Sequence, residues 1–383
     1  MCCNTRLWHS HHCILPPYIH RQIAQNGSAQ QRAQALRTLA IDSTMRAIRL
    51  STSGAPQAAM RLIPGPMVVE SHKQRTLYNV KNTEALPGEE VRSEGQADTG
   101  DPAVDEAYVG LGATYDLYWE VFGRNSIDGN GMPLLGHVHY GSGYDNAFWD
   151  GQRMVFGDGD GELFNRFTIS VDVIGHELTH GVTEHEGPLT YFLQAGALNE
   201  SLSDCFGSIV KQRLLNQTVD QADWLIGAGL LTAKVHGKAL RSMKEPGTAF
   251  DDPVLGKDPQ PGHMKDFVKT TEDNGGVHIN SGIPNKAFCV AATNLKGHSW
   301  EKAGQIWLEA LRDPRLKPNC SFLSFARLTV MAAARLYGSG DEEQIVRDAW
   351  SQVGITVSKE RAAAPAWTPP MQKQAAQPVQ RKN

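Results

Sequence analysis

From Val171 to about residue 355, apolar side chains recur at helical spacing. VDVIGHELTHGVTEHEG, AGALNESLSDCFGSIVKQRLL, NKAFCVAATNLKG, SWEKAGQIWLEALRD and SFLSFARLTVMAAARLYG read as separate amphipathic helices. Residues 57 to about 171 differ. Short apolar runs such as RLIPGPMVVE and QRTLYNV alternate there with Gly, Asp and Pro turns, which predicts a β-rich half. One helix interrupts it, over 103–122, where AVDEAYVGLGATYDLYWEVF has helical apolar spacing. Ahead of both halves, residues 1–50 form a short leader. Pro16-Pro17-Tyr18-Ile19 is followed by a polar helical pattern carrying Ile23, Ala33, Leu36, Leu39 and Ile41. The last residues, 359–383, are rich in Pro, Ala and Gln and predict a disordered tail. The units are therefore a leader (1–50), a β-rich part (51–185), a helical part (186–358) and a tail.

Composition narrows the function classes. The chain has 383 residues, 40% hydrophobic and 20% charged, which is ordinary for a packed protein of two or three units. A net charge of −4 has no basic footprint, so nucleic acid is not an expected partner. No run of 18 apolar residues exists to span a membrane as a helix. The opening MCCNTRLWHSHHCILPPYIH lacks an apolar stretch after Arg6, so it does not read as a secretory signal; synthesis in the cytoplasm and export by a non-classical route are expected. Cys205, Cys289 and Cys320 lie in apolar-patterned segments and are expected as buried thiols rather than a disulfide framework.

The chemistry concentrates around His176-Glu177-Leu178-Thr179-His180. Histidines four apart lie one turn apart on a helix, so both imidazoles can face one ion. Glu177 is offset from that stripe, beside the metal rather than on it, where a general base for water belongs. The pentapeptide alone is short enough to arise by chance. Glu200, twenty residues after His180 and placed by its pattern at the opening of the next helix, supplies a third ligand and leaves a fourth position for water. Asp204, one turn later, is placed to accept the second ring N–H of His176. A closed structural zinc site would want a fourth ligand, usually Cys, and none is near in sequence.

Four blocks, VDVIGHELTHGVTEHE, ALNESLSDCFG, YDNAFWDGQRMVFGDGDG and DNGGVHINSGIPNKAF, resemble those of the thermolysin family of zinc metalloproteases, in order and with family spacing, over about residues 100–355. The resemblance implies an α+β protein of two lobes with the zinc-binding helix at the floor of the cleft between them. It implies a neutral endopeptidase acting on proteins and peptides. Zinc held by His176, His180 and Glu200 would lower the pKa of its bound water to about 7. Glu177 would take that water's proton and pass it to the leaving amine. His278, oriented by Asp273, and Tyr191 match the residues that hold the developing oxyanion. Asn146, Ala147 and Trp149 match the edge that pairs with the substrate main chain, and Arg241 matches the arginine that binds a substrate carbonyl beyond the cut. Phe164, Phe167, Val173, Ile226 and Leu240 match the first pocket beyond the cut, all apolar; Phe167 replaces a smaller aliphatic, which predicts a shallower pocket favouring Leu over Phe.

Two departures carry further expectations. The leader resembles the short precursors of protealysin-like members, which implies an intramolecular inhibitor removed on maturation, with Cys13 or the Cys2/Cys3/His9/His11/His12 cluster as a conceivable zinc contact. The family's double calcium site keeps only Asp172 and Asp223; its other acidic positions are Lys211, Leu225 and Ala228. An ammonium there is the wrong sign for a cation site, so Lys211 is expected to stand where calcium would, bridging the two aspartates. Calcium is then at most weakly bound. The protein is expected to be a monomer. An inactive homologue is disfavoured by the intact Glu177 and ligand set, and a metallo-aminopeptidase by the lack of a GxMEN-type element for the free amine.

Overall fold

The computed structural model describes residues 12–52 and 73–358. The β-rich part is built on a six-stranded sheet ordered β1-β5-β6-β4-β2-β3, formed by β1 (His12–Cys13), β2 (Arg75–Asn79), β3 (Glu89–Ser93), β4 (Leu134–Val138), β5 (Ala147–Trp149) and β6 (Met154–Phe156). The central pairings β2–β4 and β4–β6 are parallel, and the outer ones antiparallel. Among the described residues, two helices precede β2: α1 (Pro17–Asn26) and α2 (Ala29–Thr52). Helix α3 (Pro102–Asp116) follows β3, capped by the Asp101 side chain on the Ala103 N–H and continued by a π turn over Leu117–Val121.

The helical part starts with the pair that carries the site, α4 (Val171–Glu186) and α5 (Leu193–Leu214). Two glycine-dependent contacts let their backbones meet. A Cβ on Gly207 would stand 2.4 Å from the Asp172 carbonyl oxygen, and one on Gly175 would stand 3.0 Å from Gly207 Cα. No larger residue fits without forcing the helices apart. Helix α4 ends before Gly187-Pro188, where proline cannot continue it. Beyond α5 come α6 (Asp273–Asn280), α7 (Gly282–Leu295), α8 (Ala303–Leu311), α9 (Phe322–Tyr337) and α10 (Asp341–Gln352). Stacked Trp307 and Trp350, with Phe288 and Phe325 edge-on, fill the core between them. The strand–helix division follows the apolar periods along the chain.

Three features differ from the pattern reading. Glu200 does not open α5 but lies two turns into it, because the helix begins at Leu193 after Phe192, which has no capping side chain to mark the start. The segment around His278, flanked by glycines and so readable as a loop, is not a plain one. Asp273, Asn274, Gly275 and Gly276 are all left-handed (φ 52°, 51°, 86° and 77°), after which Val277–Asn280 turns helical. The third concerns the leader, which is more than two helices. Its strand β1 joins the catalytic sheet at the β5 edge, with His12 opposite Trp149 and Cys13 opposite Phe148. The leader also completes an apolar cluster in which Cys13 and Ile41 pack with Val80, Tyr140, Tyr144, Phe148 and Val155. The tail over 359–383 lies outside the described residues.

Candidate active site

Helix α4 presents His176, Glu177 and His180 on buried faces, and α5 faces them with Glu200 and Asp204. The His176 and His180 Nε2 atoms stand 3.0 Å apart, and Glu200 oxygens lie 3.5 Å and 3.4 Å from them. The other ring nitrogens already face acceptors. His176 Nδ1 lies 2.8 Å from Asp204, and His180 Nδ1 lies 2.8 Å from the Asn199 side-chain oxygen and 3.0 Å from Ser203 Oγ. Each Nδ1 therefore carries its proton, and both Nε2 lone pairs point into one space beside a carboxylate. Glu200 Oε2 is buried with no hydrogen-bond partner among the described residues. Donors that converge without a proton between them fit a cation. Two ligand nitrogens on a tetrahedral zinc would sit about 3.3 Å apart, close to the spacing seen.

Asp204 is the hub behind His176. It accepts from Arg241 Nε and Nη2 at 2.9 and 2.8 Å and from Asn285 Nδ2 at 2.8 Å. Burial alone would raise its pKa; Arg241 and His176 outweigh that and hold it well below the usual carboxylate range. Arg241 is raised in turn, since Asp204 more than offsets the effect of burial.

Tyr191, His278 and Asp273 stand on the opposite rim. The Tyr191 hydroxyl donates to Glu200 Oε1 and lies 3.2 Å from His278 Nε2. His278 Nδ1 is 2.6 Å from Asp273. Burial lowers the His278 pKa, yet Asp273 and Glu200 raise it to about 9; a cation on Glu200 would weaken the second of these pulls. Burial, then Glu200, pushes the Tyr191 phenol well above 10 and keeps it a donor. Glu177 lies at the centre, its Oε2 accepting from the Trp149 N–H at 3.0 Å.

The leader occupies the remaining edge. The Ile14 N–H donates to the Ala147 carbonyl at 3.2 Å, and the Ile14 carbonyl accepts from Arg241 Nη1 at 3.1 Å. The Leu15 N–H donates to Asn146 Oδ1 at 3.0 Å, and the Leu15 carbonyl accepts from Asn146 Nδ2 at 3.2 Å. Asp42 of α2 holds the same Asn146 amide at 3.0 Å. Ile14 and Leu15 are fully buried in the apolar cluster that includes Phe164, Phe167, Val173, Ile226 and Leu240. Cys13 is buried too, its thiol donating to the Leu15 carbonyl at 3.5 Å, and it is not part of the donor set formed by His176, His180 and Glu200. Cys2, Cys3, His9 and His11 lie outside the described residues, as does the His12 side chain. Cys205, Cys289 and Cys320 are buried thiols outside any disulfide, their pKa values raised by burial.

A second ionic cluster lies at the start of α4. Lys211 Nζ of α5 is 2.8 Å from Asp172, 2.9 Å from Asp223 and 2.7 Å from the Leu225 carbonyl. Burial lowers the lysine pKa, but the two aspartates reverse that and raise it.

Comparison with known proteins agrees with this geometry. Residues 66–184 match the family model for the thermolysin metallopeptidase catalytic domain, and residues 187–355 match that for its alpha-helical domain. The chain belongs to the thermolysin family of metallopeptidases. It is therefore a metalloendopeptidase, with the family's catalytic and helical domains. It is 53% identical over 347 residues to an extracellular metalloprotease of Pectobacterium carotovorum subsp. carotovorum, covering 91% of this chain and 97% of that one. It is 39% identical over 289 residues to a thermolysin from Bacillus sp. (strain EA1), covering 73% of this chain but half of that longer protein. Among solved structures, the precursor of protealysin, a metalloproteinase from Serratia proteamaculans, matches with a TM-score of 0.81 and 54% identity, over 90% of this chain and all of the other.

Sequence reasoning passed over Asn199, Ser203, Asn285 and Asp42. Asn199 and Ser203 flank Glu200 and Asp204 on α5, so helical spacing was a usable signal for them. Nothing local marks Asn285 or Asp42, which reach their partners from 81 and 104 residues away.

Proposed function

We propose that this protease is a neutral zinc endopeptidase that cuts on the amino side of large apolar residues and is made as a precursor held inactive by its own leader. One observation carries the reading: an extended segment of leader lies in the cleft beside Glu177 and the three donors, gripped through its main chain by Asn146, Ala147 and Arg241. A protein substrate needs the same grip.

His176, His180 and Glu200 would hold zinc, which when bound would supply Lewis-acid chemistry for activating water and polarising the scissile carbonyl. Glu177, fixed by the Trp149 N–H, takes the proton of the attacking water and delivers it to the leaving amine. His278 and Tyr191 donate to the carbonyl oxygen as it gains charge, and Asp273 keeps the His278 ring in place. Asp204 and Asn199 fix the tautomers of the two ligand histidines. Phe164, Phe167, Val173, Ile226 and Leu240 form the apolar wall beyond the cut, where burying a Leu or Phe side chain is worth ~1.5–3 kcal/mol. Lys211 takes the place of calcium between Asp172 and Asp223. The enzyme acts outside the cell, which is the setting its relatives' names give.

Digestion of a library of N-terminally blocked peptides tests the substrate class. Cuts before Leu, Phe, Ile and Val are expected, with Leu ahead of Phe. A preference for charged residues after the cut would overturn it, and refusal of blocked peptides would indicate an aminopeptidase. The wild type should lose its leader, with a new N-terminus between about 45 and 60, while Glu177→Gln keeps it. A trimmed Glu177→Gln protein from the same host would assign the cut to another protease.

A further inference from the structure

The leader does more than cover the cleft, because its register is that of a substrate. Arg241 grips the carbonyl of Ile14, Ala147 takes the Ile14 N–H, and Asn146 brackets Leu15 on both its polar atoms. Ile14 is therefore the first residue beyond the cut and Leu15 the second. Ile14 is fully buried and of the apolar class the pocket accepts. Cys13 then precedes the cut. It pairs with Phe148 along the β5 edge, and with Tyr191, His278 and Asp273 it lines a cavity of about 210 Å³ on the oxyanion side. Pro16, extended at φ −71° and ψ 150°, and Pro17, at the first position of α1, end the strand and turn the chain out of the cleft, since neither can donate an N–H to an edge.

We propose that Cys13–Ile14 is a bond this protease cuts in its own chain, the leader serving as an intramolecular substrate and not only as a plug. The inference rests on the endopeptidase reading above. In the cut, water adds its hydroxyl to the Cys13 carbonyl carbon and the bond to the Ile14 nitrogen breaks. Glu177 carries the water's two protons in turn to that nitrogen, leaving a Cys13 carboxylate and an Ile14 ammonium. No other reactant is needed. The reaction is unimolecular, because residues 12–52 hold the bond in place through Arg21 on Glu272, Asp42 on Asn146 and Gln34 on the Ser142 carbonyl.

The test starts from full-length protein prepared without metal and follows intact mass after Zn²⁺ is added. A product beginning at Ile14 should form at a rate independent of protein concentration, and should be absent from Glu177→Gln. Ile14→Asp should slow its formation at least tenfold, because a charged residue would enter an apolar pocket. Hydrogen exchange on uncut Glu177→Gln gives a readout free of turnover: the Ile14 and Leu15 amides should be protected there and exchange fast in the double variant with Ile14→Asp. Two results would overturn the proposal: a zinc-loaded wild type that cleaves a blocked Leu peptide yet keeps Cys13–Ile14 intact in retained or released leader, or fast exchange at residues 14 and 15. Failure to cleave either the peptide or the leader would instead remove the endopeptidase reading on which it stands.

Discussion

Helices α4 and α5 join through two buried ionic clusters that solve opposite problems. At mid-helix, His176, His180 and Glu200 gather lone pairs and a carboxylate with no cation of their own. One turn or so towards the start of α4, Asp172 meets Asp223 with the ammonium of Lys211 already between them. A site that brings its own positive charge needs no ion from solution. A site that withholds one stays open to an ion, and so open to substrate and water. The difference separates a structural cluster from a chemical one on the same pair of helices.

Removing the foreign cation should have the largest effect. 1,10-Phenanthroline is expected to abolish peptide cleavage and Zn²⁺ to restore it, while the far-UV spectrum of the protein stays folded. Glu177→Gln should keep the metal, measured by elemental analysis, yet lose about 10²–10⁴-fold or more in kcat, the scale of general-base loss. Near-normal turnover in that variant would break the assignment of Glu177.

Removing the built-in cation should act on stability instead. Lys211→Ala strands Asp172, which is fully buried, facing Asp223, which is half open to water. A loss of about 3 kcal/mol is expected, the low end for breaking a buried pair because of that solvent access, read as a fall of several degrees in Tm. EGTA should barely move the Tm of the wild type but lower that of Lys211→Ala in calcium, since two carboxylates and a carbonyl then invite the ion. A large EGTA effect on the wild type would erase the contrast between the two clusters.

The smallest effect belongs to a third cluster, whose cation titrates. His139 lies 2.9 Å from both Asp158 and Asp101, tying the β4 end of the sheet to the cap of α3. Asp158 raises its pKa, burial opposes, and Asp101 helps bring it to about 9 from an ordinary 6.5. A folded pKa above the unfolded one means the contribution is complete below pH 6.5 and lost as pH rises through about 9. His139→Phe should therefore cost at most about 1 kcal/mol after solvent screening, with its Tm deficit present at pH 6 and shrinking above pH 9. A pH-independent deficit would assign His139 a packing role.

The site was unevenly legible along the chain. His176, Glu177 and His180 lie within one turn, so helix geometry alone made them neighbours. Glu200 and Asp204 follow from one more helix, although that helix starts two turns before Glu200, at a point where Phe192 leaves no capping mark. Lys211 between two aspartates was readable only against the acidic pattern that the family keeps there. Asn285 and Asp42 were not readable, since each completes a hydrogen bond across a sequence gap that no local pattern spans.

By itself, then, the sequence determined the helical and β-rich halves and the placing of His176, His180 and Glu200 on successive helices with Glu177 beside them, because each depends on spacing within a few turns. The tertiary structure decided how close α4 and α5 approach, through Gly175 and Gly207, and hence that donors on different helices share one space. It also decided that residues 12–15 lie along β5, held through their main chain by Asn146 and Arg241. A strand of two residues has no periodicity to read, and its pairing energy comes from an edge more than a hundred residues away in the chain.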